Sequence, residues 1–100
     1  MEKTAKKHNR YKLSLEANEE GTNHLAPSNK IELEFENHDD IFKIIELVKG
    51  KKIFAKDSEA AEFTIGLKLF SEVVLRNREL PLFKDLKPAI AEFMKKLKAI

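Results

Sequence analysis

The residues of this chain best suited to chemistry lie together in the run Asn37-His38-Asp39-Asp40. An imidazole beside two carboxylates could bind a divalent metal ion or transfer a proton. The same short polar side chains are typical of a helix start, where they accept hydrogen bonds from free amides and carboxylates meet the positive end of the helix dipole. Metal sites usually draw ligands from several elements, and the other two histidines lie in a tail and a loop. We interpret the run as a capping segment, with a ligand or metal site as the alternative.

Other residue patterns that carry catalysis are missing from the sequence. The chain contains no cysteine, which excludes a thiolate nucleophile, a zinc ribbon and a disulfide framework. Its three glycines form no loop that could cradle a phosphate or supply an oxyanion hole. No serine lies in a nucleophile elbow, and Ser71 falls in the middle of a predicted helix. The sequence therefore predicts no catalytic residue, no bound cofactor and no metal ion.

Basic residues are concentrated before and within the first predicted strand. Six of them could neutralise phosphates of a nucleic acid in a salt-dependent, sequence-independent way: Lys3, Lys6, Lys7, His8, Arg10 and Lys12. However, no exposed aromatic residues alternate with them, and no recognition-helix motif is present. The whole chain has 19 basic and 17 acidic residues with interspersed signs, so it has no long-range field to attract a polyanion. We interpret residues 1–9 as a flexible basic tail, with weak nucleic-acid binding as a less favoured alternative.

The compartment is indicated by what the N-terminal sequence lacks. It has no apolar core of a signal peptide, and no apolar run in the chain approaches the ~20 residues of a membrane span. The absence of cysteine fits a reducing environment. We therefore expect a soluble, cytoplasmic protein with no membrane partner.

Two segments alternate between apolar and polar residues, which is the pattern of a half-buried strand. They cover residues 10–17 and 30–36, and the segment between them is rich in Asn, Gly, Pro and Ser. Such a loop cannot supply a crossover helix, so we predict an antiparallel hairpin. The apolar positions are Tyr11, Leu13 and Leu15 in the first strand and Ile31, Leu33 and Phe35 in the second.

The register of this hairpin follows from its side chains. One alignment brings the apolar residues together on one face and opposite charges together on the other. The predicted pairs are Tyr11–Phe35, Leu13–Leu33 and Leu15–Ile31 on the apolar face, and Arg10–Glu36, Lys12–Glu34 and Glu16–Lys30 on the charged face.

Three helices are predicted after the hairpin. The first begins at the capping run, and Gly50 is expected to stop it. The second has its cap at Asp57 or Ser58 and runs to about Asn77. The inward stripes of the three helices are Ile41, Ile44, Ile45 and Val48; Phe63, Leu67, Phe70 and Val74; and Ile90, Phe93, Met94 and Leu97.

The second helix has a wider apolar arc than an ordinary surface helix, so we expect it to be covered on two sides. Gly66 in its interior predicts a close approach by a neighbouring backbone. The apolar run 80–83 is a tight connection that could form one helical turn. Pro88 is expected to be the first residue of the last helix, where its missing amide costs nothing.

Several short segments, taken together, resemble one bacterial family. They are Arg10-Tyr11-Lys12-Leu13, Phe35-Glu36-Asn37-His38-Asp39-Asp40, Gly66-Leu67-Lys68-Leu69-Phe70, Pro81-Leu82-Phe83, Lys87-Pro88-Ala89-Ile90 and Glu92-Phe93-Met94-Lys95. In this combination the chain resembles the bacterial domain of unknown function 3861 family over roughly residues 10–98. The resemblance implies a short stand-alone bacterial protein, a hairpin followed by helices, in a family with no assigned activity.

These segments predict an α+β fold, in which a two-stranded antiparallel hairpin is followed by three helices packed on it, in a single domain of residues 10–100. A lone hairpin has two open edges and an apolar face to cover, so a homodimer and a shielded monomer are the two expectations. If exposed, four apolar residues outside the predicted long helices would form a contact surface for a partner: Phe54, Leu80, Leu82 and Phe83.

The function that the sequence favours is a non-catalytic interaction or regulatory module. Its partner would be a second copy of the chain or an unidentified protein. The alternative is a small-ligand or metal-binding protein centred on Asn37, His38, Asp39 and Asp40.

Overall fold

A computed structural model describes residues 9–18 and 29–100 of the chain. The elements in chain order are strand β1 (Asn9–Glu16), strand β2 (Lys30–Asn37), helix α1 (Ile41–Lys51), helix α2 (Asp57–Arg76), the single turn α3 (Pro81–Lys84) and helix α4 (Leu86–Ala99). The predicted α+β class, a hairpin followed by three helices, is therefore confirmed, and the connection 80–83 does contain one helical turn.

The chain divides into two compact units, Met1–Asp39 and Asp40–Ile100. The assignment of residues 10–100 to one domain stays a prediction. The predicted basic tail lies outside the described residues except for Asn9, which belongs to β1 and pairs with Asn37. Most of the predicted loop lies outside them as well.

The hairpin has the predicted register along its whole length. Tyr11 lies opposite Phe35, Leu13 opposite Leu33, and Arg10 opposite Glu36 in an antiparallel pair. The rings of Tyr11 and Phe35 stack with their centroids 5.3 Å apart. Local alternation was sufficient to predict this alignment because a shift by one residue would have moved every apolar side chain to the charged face.

The ion pairs of the charged face are partly diagonal. Arg10 contacts its direct partner Glu36 at 2.7 Å, but the Lys12 ammonium lies 3.5 Å from Glu32 and the Lys30 ammonium 3.2 Å from the same carboxylate. Lys12 thus reaches its diagonal neighbour across the ladder, whereas Lys30 contacts a residue two positions further along its own strand. The strand backbones therefore follow the predicted pairing, whereas the ammonium groups of Lys12 and Lys30 both form their ion pairs with Glu32.

Helix α1 begins where the sequence indicates and ends later than predicted. Asp40 is its N-cap, and the Asp40 carboxylate accepts a hydrogen bond from the Lys43 amide at 3.3 Å. Gly50 does not stop the helix, which continues to Lys51. Lys52 takes the left-handed backbone conformation instead, with φ of 58°, and its amide donates to the Lys49 carbonyl at 3.2 Å. A lysine in this conformation is uncommon, which is why glycine was the expected stop.

The start of helix α2 also differs from the prediction. Lys56 is the N-cap and supplies no side-chain hydrogen bond, while Asp57 is already the first helical residue. The carboxylates of Asp57 and Glu59 lie in the first turn. They stabilise the helix through its dipole rather than through a capping hydrogen bond.

The interior glycine of α2 does not mark a close helix contact. Among the described residues, a Cβ placed on Gly66 would have no neighbour within 4 Å beyond its own helix backbone, and Gly66 is exposed. The prediction of a close backbone approach is therefore wrong. Helix α2 does contact both α1 and α4, but Phe70 and Val73 on its outer side are 50% and 40% exposed.

Helix α4 begins two residues earlier than predicted. Leu86 is the first residue and Pro88 the third. Proline is tolerated there because the first four amides of a helix have no partner within the helix. Helix α4 returns along α2, and the Phe63 and Phe93 rings lie with centroids 6.2 Å apart.

The apolar core of the described chain is small and helical. Its buried apolar residues are Ile41, Ile45, Val48, Ala60 and Val74, all in α1 or α2. Three residues of the predicted α1 stripe are among them. Neither strand of the hairpin nor helix α4 contributes a fully buried apolar side chain.

Candidate functional site

The run 37–40 is held by hydrogen bonds that belong to the hairpin and to the helix start. The Asn37 amide oxygen accepts from the Asp39 amide at 3.0 Å, and the Asn37 side chain is buried. The Asp39 carbonyl accepts from the Tyr11 hydroxyl at 2.9 Å and from the Asn9 side chain at 3.1 Å. This part of the run therefore closes the end of the hairpin, while Asp40 caps α1.

As a ligand or metal site, the run offers one close pair of side chains. The His38 Nε2 atom lies 3.6 Å from an Asp39 carboxylate oxygen, with His38 two-thirds exposed. The Asp40 carboxylate is engaged with the Lys43 amide. Among the described residues, no three His, Cys, Asp or Glu side chains are grouped as a metal ion would need.

The four residues predicted as an apolar contact surface are not brought together. Phe54 is half-buried against Phe63, with ring centroids 5.1 Å apart, before α2 begins. Leu80 and Leu82 follow α2 and are 47% and 78% exposed, and Phe83 beside them is half-buried. A helix of 20 residues, about 30 Å long, separates the two ends. Of the four predicted residues, only Leu80 and Leu82 are exposed, and both lie beyond the C-terminal end of α2.

The apolar face of the hairpin is more exposed than the strand pattern indicates. Leu15, Ile31 and Leu33 are 67%, 53% and 39% exposed. Tyr11, Leu13 and Phe35, nearer the other end of the same face, are half-buried. Alternation shows which face is apolar, but it does not show how much of that face is covered.

A groove between α2 and α4 is a concave site that the sequence did not indicate. Its volume is about 260 Å³. Most of its lining is apolar, with Lys68, Ser71 and Lys87 as the polar members. The apolar lining residues are Leu67, Val74, Leu75, Ile90, Ala91 and Met94.

Two hydroxyl groups in α2 are buried without a hydrogen-bond partner among the described residues, those of Thr64 and Ser71. Thr64 is fully enclosed, whereas Ser71 lines the groove. An unsatisfied buried hydroxyl costs about 1–3 kcal/mol.

Helical spacing would have shown that Lys68, Ser71 and Leu75 share one face of α2, but which helix lies beside that face depends on tertiary packing.

No helix in the described part of the chain combines the length and the apolar character that crossing a membrane requires. This finding concerns only residues 9–18 and 29–100.

Comparison with known proteins identifies a family but no activity. No curated protein matches the chain. A crystal structure of a protein of unknown function from Pectobacterium atrosepticum is 34% identical and has a TM-score of 0.81, with 94% of this chain and 100% of that chain covered. The model of a domain of unknown function with a solved structure, DUF3861, matches residues 9–99. The chain therefore belongs to the DUF3861 family.

Proposed function

We propose that this protein is a non-catalytic, cytoplasmic interaction module whose first partner is a second copy of itself. The observation that carries the proposal is the exposed apolar face of the hairpin at Leu15, Ile31 and Leu33. In the described residues the sheet has two strands, so each strand has an outer edge without a strand partner. A two-stranded sheet is marginally stable alone, and open edges favour pairing with another strand.

The charges of the two strands favour β1 as the pairing edge. Two copies of β1 that pair antiparallel about Leu13 would place Arg10 opposite Glu16, and Tyr11 opposite Leu15, of the other copy. Opposite charges directly across a ladder stabilise it, and the apolar face would continue across both copies. The contact is self-complementary, as a two-fold symmetric dimer requires.

The same construction on β2 is less favourable. Antiparallel pairing of two β2 strands about Leu33 would bring Glu32 opposite Glu34 twice and Lys30 opposite Glu36 twice, so the like-charge pairs offset the opposite-charge pairs. Like charges directly across a ladder destabilise it. The proposed dimer is therefore a four-stranded sheet with the two β1 strands at its centre.

The test is a charge exchange at β1, read by light scattering behind a sizing column. The wild-type chain should be a dimer. E16R should be monomeric because it places arginine opposite Arg10, and R10E should be monomeric because it places glutamate opposite Glu16. An equimolar mixture of E16R and R10E should again form dimers, since all four charges across the interface are then complementary.

The mixture distinguishes loss of the interface from loss of folding. An unfolded variant could not pair with the other one, so dimers in the mixture would show that both variants are folded. Glu79→Arg, an exposed site outside the hairpin, serves as the matched charge control and should stay dimeric. A monomeric wild-type chain, or variants that dimerise as the wild type does, would refute the proposed interface. Loss of the dimer in Leu82→Glu but not in Leu15→Glu would assign the contact to the patch at residues 80–83 instead.

A further inference from the structure

We infer that the groove between α2 and α4 binds an aliphatic carboxylate of about medium-chain fatty-acid length. The inference concerns the helical unit and does not depend on the proposed dimer. It begins from two features of one site, an apolar lining and a buried hydroxyl group that has no partner among the described residues.

The walls of the groove select an aliphatic group. Leu67 and Val74 from α2 face Ile90 and Met94 from α4, and no aromatic ring lines the site. Branched and thioether side chains pack against a flexible alkyl chain without requiring a planar ligand. The volume of about 260 Å³ is just below the range of roughly 300–1,000 Å³ typical of drug-sized ligands, so the ligand is small.

The polar residues of the groove select a single negative charge. The Ser71 hydroxyl lacks a partner among the described residues, and rotation about its χ1 angle can turn it towards the groove. Lys87 also lines the groove, is exposed and forms no ion pair with any residue of the described ranges. Lys68 is one helical turn from Ser71 on the same face.

A carboxylate fits this set better than a more highly charged group. One carboxylate oxygen can accept from the hydroxyl while the other lies near a lysine ammonium, which matches the donors present. A phosphate monoester carries nearly two charges and three strong acceptor oxygens, and such groups are often bound by arginine forks, but no arginine lines the groove.

The experiment is a titration of the full chain with decanoate. Amide chemical shifts and calorimetry are the two measurements of binding. Saturable binding should shift the amides of Ser71, Ile90 and Met94. Decanol and decyltrimethylammonium have the same alkyl chain without the carboxylate, and each should bind at least about tenfold more weakly, as expected for loss of a charged hydrogen-bond partner.

Two variants test the polar residues separately. Ser71→Ala should weaken decanoate binding about tenfold or more, because a hydrogen bond to a charged group is lost. It should not lower the melting temperature, because alanine favours the helix and removes the unpaired hydroxyl. Lys87→Gln should weaken binding by about two- to fivefold, as expected for an exposed ion pair. Lys98→Gln, elsewhere on α4 and outside the groove lining, should bind as the wild type does.

Four results would overturn the inference. They are the absence of saturable binding, equal affinity for decanol and decanoate, unchanged affinity in Ser71→Ala, and shifts that appear on the hairpin instead of the groove. A fifth is a set of groove shifts that depend on protein concentration and not on decanoate, which would assign the groove to contact with a second copy of the chain.

Discussion

At the scale of single residues, two hydroxyls of α2 have no hydrogen-bond partner among the described residues, and they differ in their surroundings and in the roles we assign to them. Ser71 lines a groove, whereas Thr64 is fully buried with a relative exposure of 0%. A hydroxyl enclosed in this way without a partner lowers the stability of the fold, because its hydrogen bonds to water are lost on folding and not replaced. Thr64 is therefore a structural residue, and its methyl group, not its oxygen, is the part that packs.

Replacement of Thr64 tests this assignment. Thr64→Val keeps the shape and removes the hydroxyl, so it should raise the free energy of unfolding by about 1 kcal/mol. Thr64→Ser keeps the hydroxyl and removes the methyl group, so it should lower the same quantity by about 1 kcal/mol. Urea denaturation measures both. If Thr64→Val is the less stable of the two variants, the hydroxyl has a hydrogen-bond partner in the folded protein.

At the scale of elements, α1 and α2 both contain a glycine that no neighbour explains. Among the described residues, neither Gly50 nor Gly66 would bring a Cβ within 4 Å of another group beyond its own helix backbone. Glycine in a helix interior is less favourable than alanine because of the backbone entropy lost on folding. Gly66 lies in the middle of α2, and Gly50 lies in the last turn of α1, so the cost is greater at Gly66.

Gly66→Ala should therefore raise the free energy of unfolding by up to about 1 kcal/mol. Gly50→Ala is the matched control and should give a smaller increase, because the end of a helix frays and the penalty there is lower. Thermal and urea denaturation of both variants give the comparison. Destabilisation by Gly66→Ala would mean that another backbone approaches this position closely, either in a dimer or within the chain.

The ion pair between Lys49 and Glu46 is a local feature of α1. The Lys49 ammonium donates to the Glu46 carboxylate at 3.0 Å, and this hydrogen bond, with the charge of Glu46, raises the pKa of Lys49. Any stabilisation that depends on the charge of Lys49 is present at neutral pH and is lost as the pH rises through the raised pKa of Lys49.

At the scale of the whole molecule, stability depends on few side chains. The buried apolar residues of the described chain all lie in α1 and α2, while the hairpin face and parts of α2 and α4 stay exposed. A domain of this size has a net stability of about 5–15 kcal/mol at most. One truncation in the buried set therefore removes a large share of the total.

A pair of variants in α1 tests this distribution. Ile45→Ala should lower the free energy of unfolding by about 2–5 kcal/mol, because Ile45 is only 9% exposed and its truncation leaves a cavity. Leu47→Ala, two residues away and 60% exposed, should change it by no more than about 0.5 kcal/mol. Urea midpoints measured at the same protein concentration compare them. Equal destabilisation would show that the outer side of α1 is also covered in solution.

The sequence by itself determined the features that depend on near neighbours along the chain. Alternation and cross-strand charge predicted the hairpin register, and the polar run before α1 predicted the cap at Asp40. Both signals are local, since each depends on side-chain direction within one strand pair or one helical turn. The same local reasoning placed the end of α1 too early, at Gly50, and the start of α4 too late, at Pro88. The free-energy differences between neighbouring positions for a helix end are small, so packing against neighbouring residues overrides them.

Only the tertiary structure decided which helix faces meet and how much of each is covered. It showed that Gly66 has no close neighbour, that Phe54 and Leu82 lie at opposite ends of α2, and that Ser71 lies in a groove facing α4. The spacing of apolar residues identifies the apolar face of one helix, but it gives no distance from that helix to another. The exposure of the hairpin face and the groove between α2 and α4 were therefore visible only in the three-dimensional structure, and both proposals for this protein rest on them.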